Sequence, residues 1–141
     1  MKTYIIIEEK QIDLESHLSR TRTIVTLGRQ SDEIYNVLAL DDDAVDFFQC
    51  QFTRIVDGHW KLQNGQWRTE CPKGIRSRLQ HACHLCMGRC VNAKAAHPTY
   101  SWRHPLSPTL LNGKELPSEG KELKDGDMIH VGERILRVNI I

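Results

Sequence analysis

The chain has 141 residues, of which 40% are hydrophobic and 26% charged, with a formal net charge of +1. That is one domain's length, with enough apolar content to bury a core without obligatory staples. The near-neutral balance argues against a general nucleic-acid binder, and no apolar run is long enough to cross a membrane.

Thr3 to Ile7 is a β-branched and aromatic run and reads as a first strand. Glu8-Glu9 ends it too early for a secretory signal, so the expected compartment is the reducing cytoplasm. Glu8 to Thr21 is a polar connection with room for a short strand. Thr23 to Leu27 is a second strand, expected to stop at Gly28. A polar loop, residues 30–36, leads to the apolar stretch Val37 to Leu40 and then to the acidic turn Asp41-Asp42-Asp43.

From Phe48 to Val56 apolar and polar residues alternate, with some slippage, as on a half-buried strand. Asp57-Gly58 turns the chain into His59 to Gln63, where Trp60 is a core candidate, and Asn64-Gly65 marks a further turn. Beyond the cysteine-rich stretch come Thr109 to Leu111, the hairpin signal Asn112-Gly113, and the turn Asp125-Gly126. Met128 to Val131, Gly132-Glu133 and a final strand from Arg134 complete the chain. Many short strands joined by regular turns predict an all-β sandwich or barrel.

Cys71 to His104 is different. It holds four of the five cysteines and four of the seven histidines, six Lys or Arg, and no Asp or Glu. Its +6 charge leaves −5 for the rest of the chain. Cys83-x2-Cys86-x3-Cys90, with Cys71 upstream, offers four thiolates to one tetrahedral ion, and zinc suits that set. The lysines and arginines would offset the −2 charge of such a site. The competing reading is a helix, because Leu79, Cys83, Cys86 and Cys90 share one helical face as small buried hydrophobes. Redox chemistry at Cys83-His84-Leu85-Cys86 lacks its usual βαβ setting. Trp67 and Trp102 flank the stretch and have two readings, fastening its two ends or lining a groove.

Three motifs resemble the forkhead-associated (FHA) domain. They are Leu27-Gly28-Arg29 after an early strand, the late hairpin Leu110-Leu111-Asn112-Gly113-Lys114-Glu115-Leu116, and the closing run Leu123-Lys124-Asp125-Gly126-Asp127-Met128-Ile129-His130-Val131-Gly132. The resemblance implies one FHA-like β-sandwich over residues 1–141, with 71–105 inserted in a loop at the recognition end. It also implies a protein-interaction module for phosphothreonine peptides. The ligand-facing set it points to is Arg29, Ser107, Thr109 and Asn112, joined by Arg103 from the end of the basic stretch.

The departures from the family are specific. Asp46, Phe47 and Gln49 stand at the Ser, Arg and His of its Ser-Arg-x-His motif, and Ser107-Pro108 replaces the Asn-Gly that holds the peptide backbone. A like charge about 4 Å from a bound phosphate costs about 4 kcal/mol at an effective dielectric near 20. Asp46 therefore opposes the ordinary phosphate site. Arg29 has two readings, a surviving anion contact or a structural loop arginine.

The expected partner is a protein or phosphopeptide, phosphorylated or merely acidic. No nucleophile elbow, phosphate-cradling glycine loop or His-Glu-x-x-His supports an enzyme. Nucleic acid is the weaker alternative, resting on the +6 stretch with Tyr100 and Trp102.

Overall fold

The computed structural model describes residues 1–20, 23–32, 34–56, 58–70 and 99–141. The described strands are β1 (Thr3–Ile7), β2 (Lys10–Asp13), β3 (Ile24–Arg29), β4 (Leu38–Leu40), β5 (Cys50–Val56), β6 (His59–Asn64), β7 (Gln66–Glu70), β8 (Thr99–Arg103), β9 (Leu110–Leu111), β10 (Lys114–Glu115), β11 (Lys121–Glu122), β12 (Met128–Val131) and β13 (Arg134–Ile140). They form two sheets, ordered β10-β9-β12-β13-β1-β2 and β11-β6-β5-β3-β4, and a separate ribbon, β7-β8.

Alternation along each strand decides what each sheet buries. In β1, Thr3, Ile5 and Ile7 point inward; in β12, Ile129 and Val131 do; in β13, Leu136 and Val138. Register then stacks them, with Ile5 opposite Val138 and Ile129 opposite Leu136. The second sheet answers with Val25 opposite Phe52 and Phe52 opposite Leu62, and with Trp60 fully buried. These inner faces form one core, so the molecule is a β-sandwich. A side chain of this size contributes roughly 1.5–3 kcal/mol when fully buried.

Two elements differ from the sequence expectation. The connection after β1 holds β2 and then a 3₁₀ helix, Leu14–His17, capped by Asp13, whose carboxylate accepts from the Glu15 amide at 3.0 Å. Leu14 is wholly buried, and the Glu15 carboxylate accepts from Trp60 Nε1 and Arg54 Nε. Gly28 does not stop β3, which runs on through Arg29 and pairs in parallel with β4. The glycine is needed for close approach rather than for a turn. A Cβ there would lie 2.2 Å from the Phe47 carbonyl oxygen and 2.6 Å from Asn36 Nδ2.

The ribbon also revises the reading of the basic stretch. Its last strand-forming residues, Thr99–Arg103, return along Gln66–Glu70 in antiparallel register from Gln66 opposite Arg103 to Glu70 opposite Thr99. Trp67 and Trp102 are directly opposed, with ring centroids 6.4 Å apart, so the two tryptophans do fasten the ends of the excursion. At its base, Gly65 has φ +87°, and a Cβ would lie 2.3 Å from the Arg103 carbonyl oxygen.

Candidate functional site

Three segments meet at one end of the sandwich: the end of β3, the loop of residues 41–49, and residues 103–109. Val45 of the loop is buried in the core, and polar side chains tie the three segments to one another. Arg29 donates from Nε to the Val45 carbonyl and from Nη2 to the Asp43 carbonyl, both at 2.8 Å. Its guanidinium lies 4.5 Å from the centroid of the Phe47 ring. The Arg29 side chain is therefore a clamp on the acidic loop.

Gln49 is fully buried and joins the two loops. Its Oε1 accepts from the Asp46 amide at 2.9 Å. Its Nε2 donates to the Ser107 carbonyl at 3.0 Å and to Thr109 Oγ1 at 2.9 Å. The Thr109 hydroxyl donates in turn to the Gln49 carbonyl. Asp46 bridges the same loops, with Oδ1 accepting from the Phe48 amide and Oδ2 from the Leu106 amide at 3.1 Å. The residues at the family's Ser and His positions thus carry structural bonds here.

The acidic loop is also held from the other sheet. Arg134 donates to Asp42 at 2.8 Å and pairs with Glu8. The hydrogen bond from Arg134 holds the Asp42 carboxyl below its ordinary value.

A second cluster lies under Phe48. Asn36 Nδ2 donates to the Phe47 carbonyl at 2.9 Å, and Asn36 Oδ1 accepts from Gln66 Nε2 at 2.7 Å. Gln66 Nε2 also reaches the carbonyls of Leu27 and Cys50. Arg68 donates from Nε and Nη2 to Gln66 Oε1, and from Nη2 to Asn36 Oδ1 at 3.1 Å. Arg68 is only 9% exposed, and burial lowers its pKa to about 10. The guanidinium groups of Arg68 and Arg103 lie 5.3 Å and 5.9 Å from the centroid of the Phe48 ring.

Of the residues expected to face a ligand, Arg29, Arg103, Ser107 and Thr109 belong to this end, with Ser107 exposed and Thr109 buried. Asn112 does not join them. Its amide holds the turn before β12, donating to Asp127 and accepting from the Met128 amide. Met128 is four residues along the chain from Gly132, where a Cβ would touch the Ala44 carbonyl of the acidic loop. Cys71, Cys83, Cys86 and Cys90, the expected zinc ligands, lie outside the described residues. Among the described residues no three His, Cys, Asp or Glu side chains are grouped to hold a metal ion. Asn36, Phe48, Gln66 and Arg68 were not singled out from the sequence.

Comparison with known structures decides the architecture. The fold is that of an FHA domain. An FHA domain solved in a study of phosphothreonine-dependent interactions superposes with a TM-score of 0.58 at 13% identity, covering 100% of this chain and 98% of the other. The FHA domain of an Arabidopsis thaliana hypothetical protein gives 0.57 at 18% identity, covering 99% and 86%. The MEK1 FHA domain in complex with a phosphothreonine peptide of HOP1 gives 0.57 at 17% identity, covering 98% and 95%. No protein-family model and no curated relative matches the chain. Among the described residues no helix is long and apolar enough to cross a membrane.

Proposed function

We propose that this FHA-fold chain is a protein-interaction module that binds an acidic or phosphothreonine-containing segment of another protein at its loop end. The observation that carries the reading is the loop end locked by Arg29, Asp46 and the buried Gln49 and Thr109, with Arg29, Arg68 and Arg103 around Phe47-Phe48. A loop end fixed before binding loses little conformational freedom when a peptide docks. The solved FHA domains with phosphothreonine peptides support this choice of partner, and the fold neighbours favour binding over catalysis. A cytoplasmic setting fits the cysteine content.

The test is a binding titration with a panel of phosphothreonine, glutamate-rich and neutral peptides, mapped by backbone amide shifts. The expected result is binding of the acidic members, with shifts at residues 29–30, 41–48 and 103–109. Binding of none of them, or shifts at the opposite end of the sandwich, overturns the reading.

The spacing of Cys71, Cys83, Cys86 and Cys90 supports a structural zinc in the insertion. Metal analysis of the purified protein is expected to give about one zinc per chain; a metal-free protein with four alkylatable thiols in this stretch overturns it.

A further inference from the structure

The arginines at the loop end differ in what surrounds them. Arg29, at the end of β3, is clamped onto a loop that contains Asp41, Asp42, Asp43 and Asp46, and its charge helps hold the Asp42 carboxyl ionised. Arg68 has no such company. Its three hydrogen bonds all end on the neutral amide oxygens of Gln66 and Asn36. Among the described residues no carboxylate lies within ion-pair distance of it. Residues 71–98, which follow its strand, contain no Asp or Glu to supply one.

A buried guanidinium without a counter-charge is costly, and an anion that reaches it offsets that cost. The geometry leaves an approach. Nε and Nη2 of Arg68 are held by amides, while Nη1 takes no partner among the described residues and is not a buried orphan atom. Nη1 therefore meets solvent. Arg103 reaches the same Phe48 ring from the opposing strand, one step along the register from Trp102.

We infer that Arg68 and Arg103, stacked on Phe48, form an anion subsite that takes the phosphate or carboxylate of the bound segment, so that the ribbon rather than Arg29 supplies the acidic-group contact. Amide-held Arg68 gives a fixed donor with its charge intact, and Arg103 adds a second charge. Arg29 keeps its clamp on Val45 and Asp43. The inference rests on binding at the loop end and names the residues that read the charge there.

The test uses the full chain with selective detection of arginine Nε–H signals during titration with inorganic phosphate and, in parallel, with tetraglutamate. The expected result is a saturable shift of the Arg68 and Arg103 signals, with phosphate affinity reduced at least fivefold by Arg103→Ala and by Arg68→Lys. Arg103 is half-buried at the sandwich end, so its truncation leaves the core intact and keeps the test valid where Arg68 variants fold poorly. Shifts confined to Arg29 overturn the inference while leaving loop-end binding standing. No response at any of the three arginines also overturns it, and the peptide titration then decides the wider reading separately. A response to phosphate and not to tetraglutamate assigns the subsite to phosphorylated segments; equal responses assign it to acidic ones.

Discussion

The core and the loop end of this sandwich are held by different chemistry. Inside, Phe52, Trp60, Leu62, Ile129 and Leu136 exclude water, and alternation does the sorting. At the loop end, the buried residues include Gln49, Gln66, Asn36, Thr109 and Arg68, each tied by directional bonds to another segment. Apolar packing tolerates volume-conserving exchange, whereas a buried polar network tolerates little, because removing one partner strands the other. The loop end is therefore the more exacting half of the molecule, although it has the smaller share of the apolar core.

The contrast can be broken from either side. Phe52→Ala should lose about 3–5 kcal/mol in urea unfolding, the cost of a cavity in a closed core. Gln49→Ala should lose about 2–3 kcal/mol by stranding the Asp46 amide and the Ser107 carbonyl. Hydrogen exchange should then rise in residues 105–109, while β12 and β13 stay protected. Uniform exchange across both sheets would show that the loop end is not a separate unit.

Asp46→Ser sharpens the comparison in another direction. It removes the Leu106 link and the like charge together, so affinity for a phosphothreonine peptide should rise about tenfold, or roughly 1.4 kcal/mol, at a small cost in stability. Unchanged affinity would mean that the Asp46 charge does not face the bound group.

The smallest effect concerns Cys50. Burial pushes its thiol up to about 12. The folded state thus keeps a proton that the unfolded chain releases near pH 9, and its stabilising contribution is present below that value. It falls as pH rises toward 12, by about 0.4 kcal/mol already at pH 9. Comparing wild type with Cys50→Ala in pH-dependent unfolding isolates this slope; parallel curves would refute it.

What was legible in the sequence follows the same division. Period-two patterning and turn residues located β1, β5, β6, β12 and β13, because those signals are local. Trp67 and Trp102 offered two readings, a fastening of the two ends or a groove lining, and the strand register shows the first. The loop end was less readable. Gln49 looked like a lost histidine, and only its approach to Ser107 and Thr109, 58 and 60 residues away, shows it to be a cross-link. Gly28 looked like a strand stop because its close contact with Phe47 belongs to tertiary structure. Arg68 gave no local cue, since burial without an acid is a property of its surroundings.

The ribbon's register carries a further consequence. Glu70 and Thr99 face each other as paired strand residues, about 5 Å apart, so the 28 positions 71–98 leave and rejoin the sandwich at nearly one point. Between two ends fixed this close, each doubling of a connecting segment's length adds only about 0.6 kcal/mol of closure entropy. Mutation can therefore lengthen, shorten or replace that stretch wholesale while the strands that carry it keep their pairing. The ribbon is in effect a socket, in which new recognition surfaces can be tried on an unchanged scaffold.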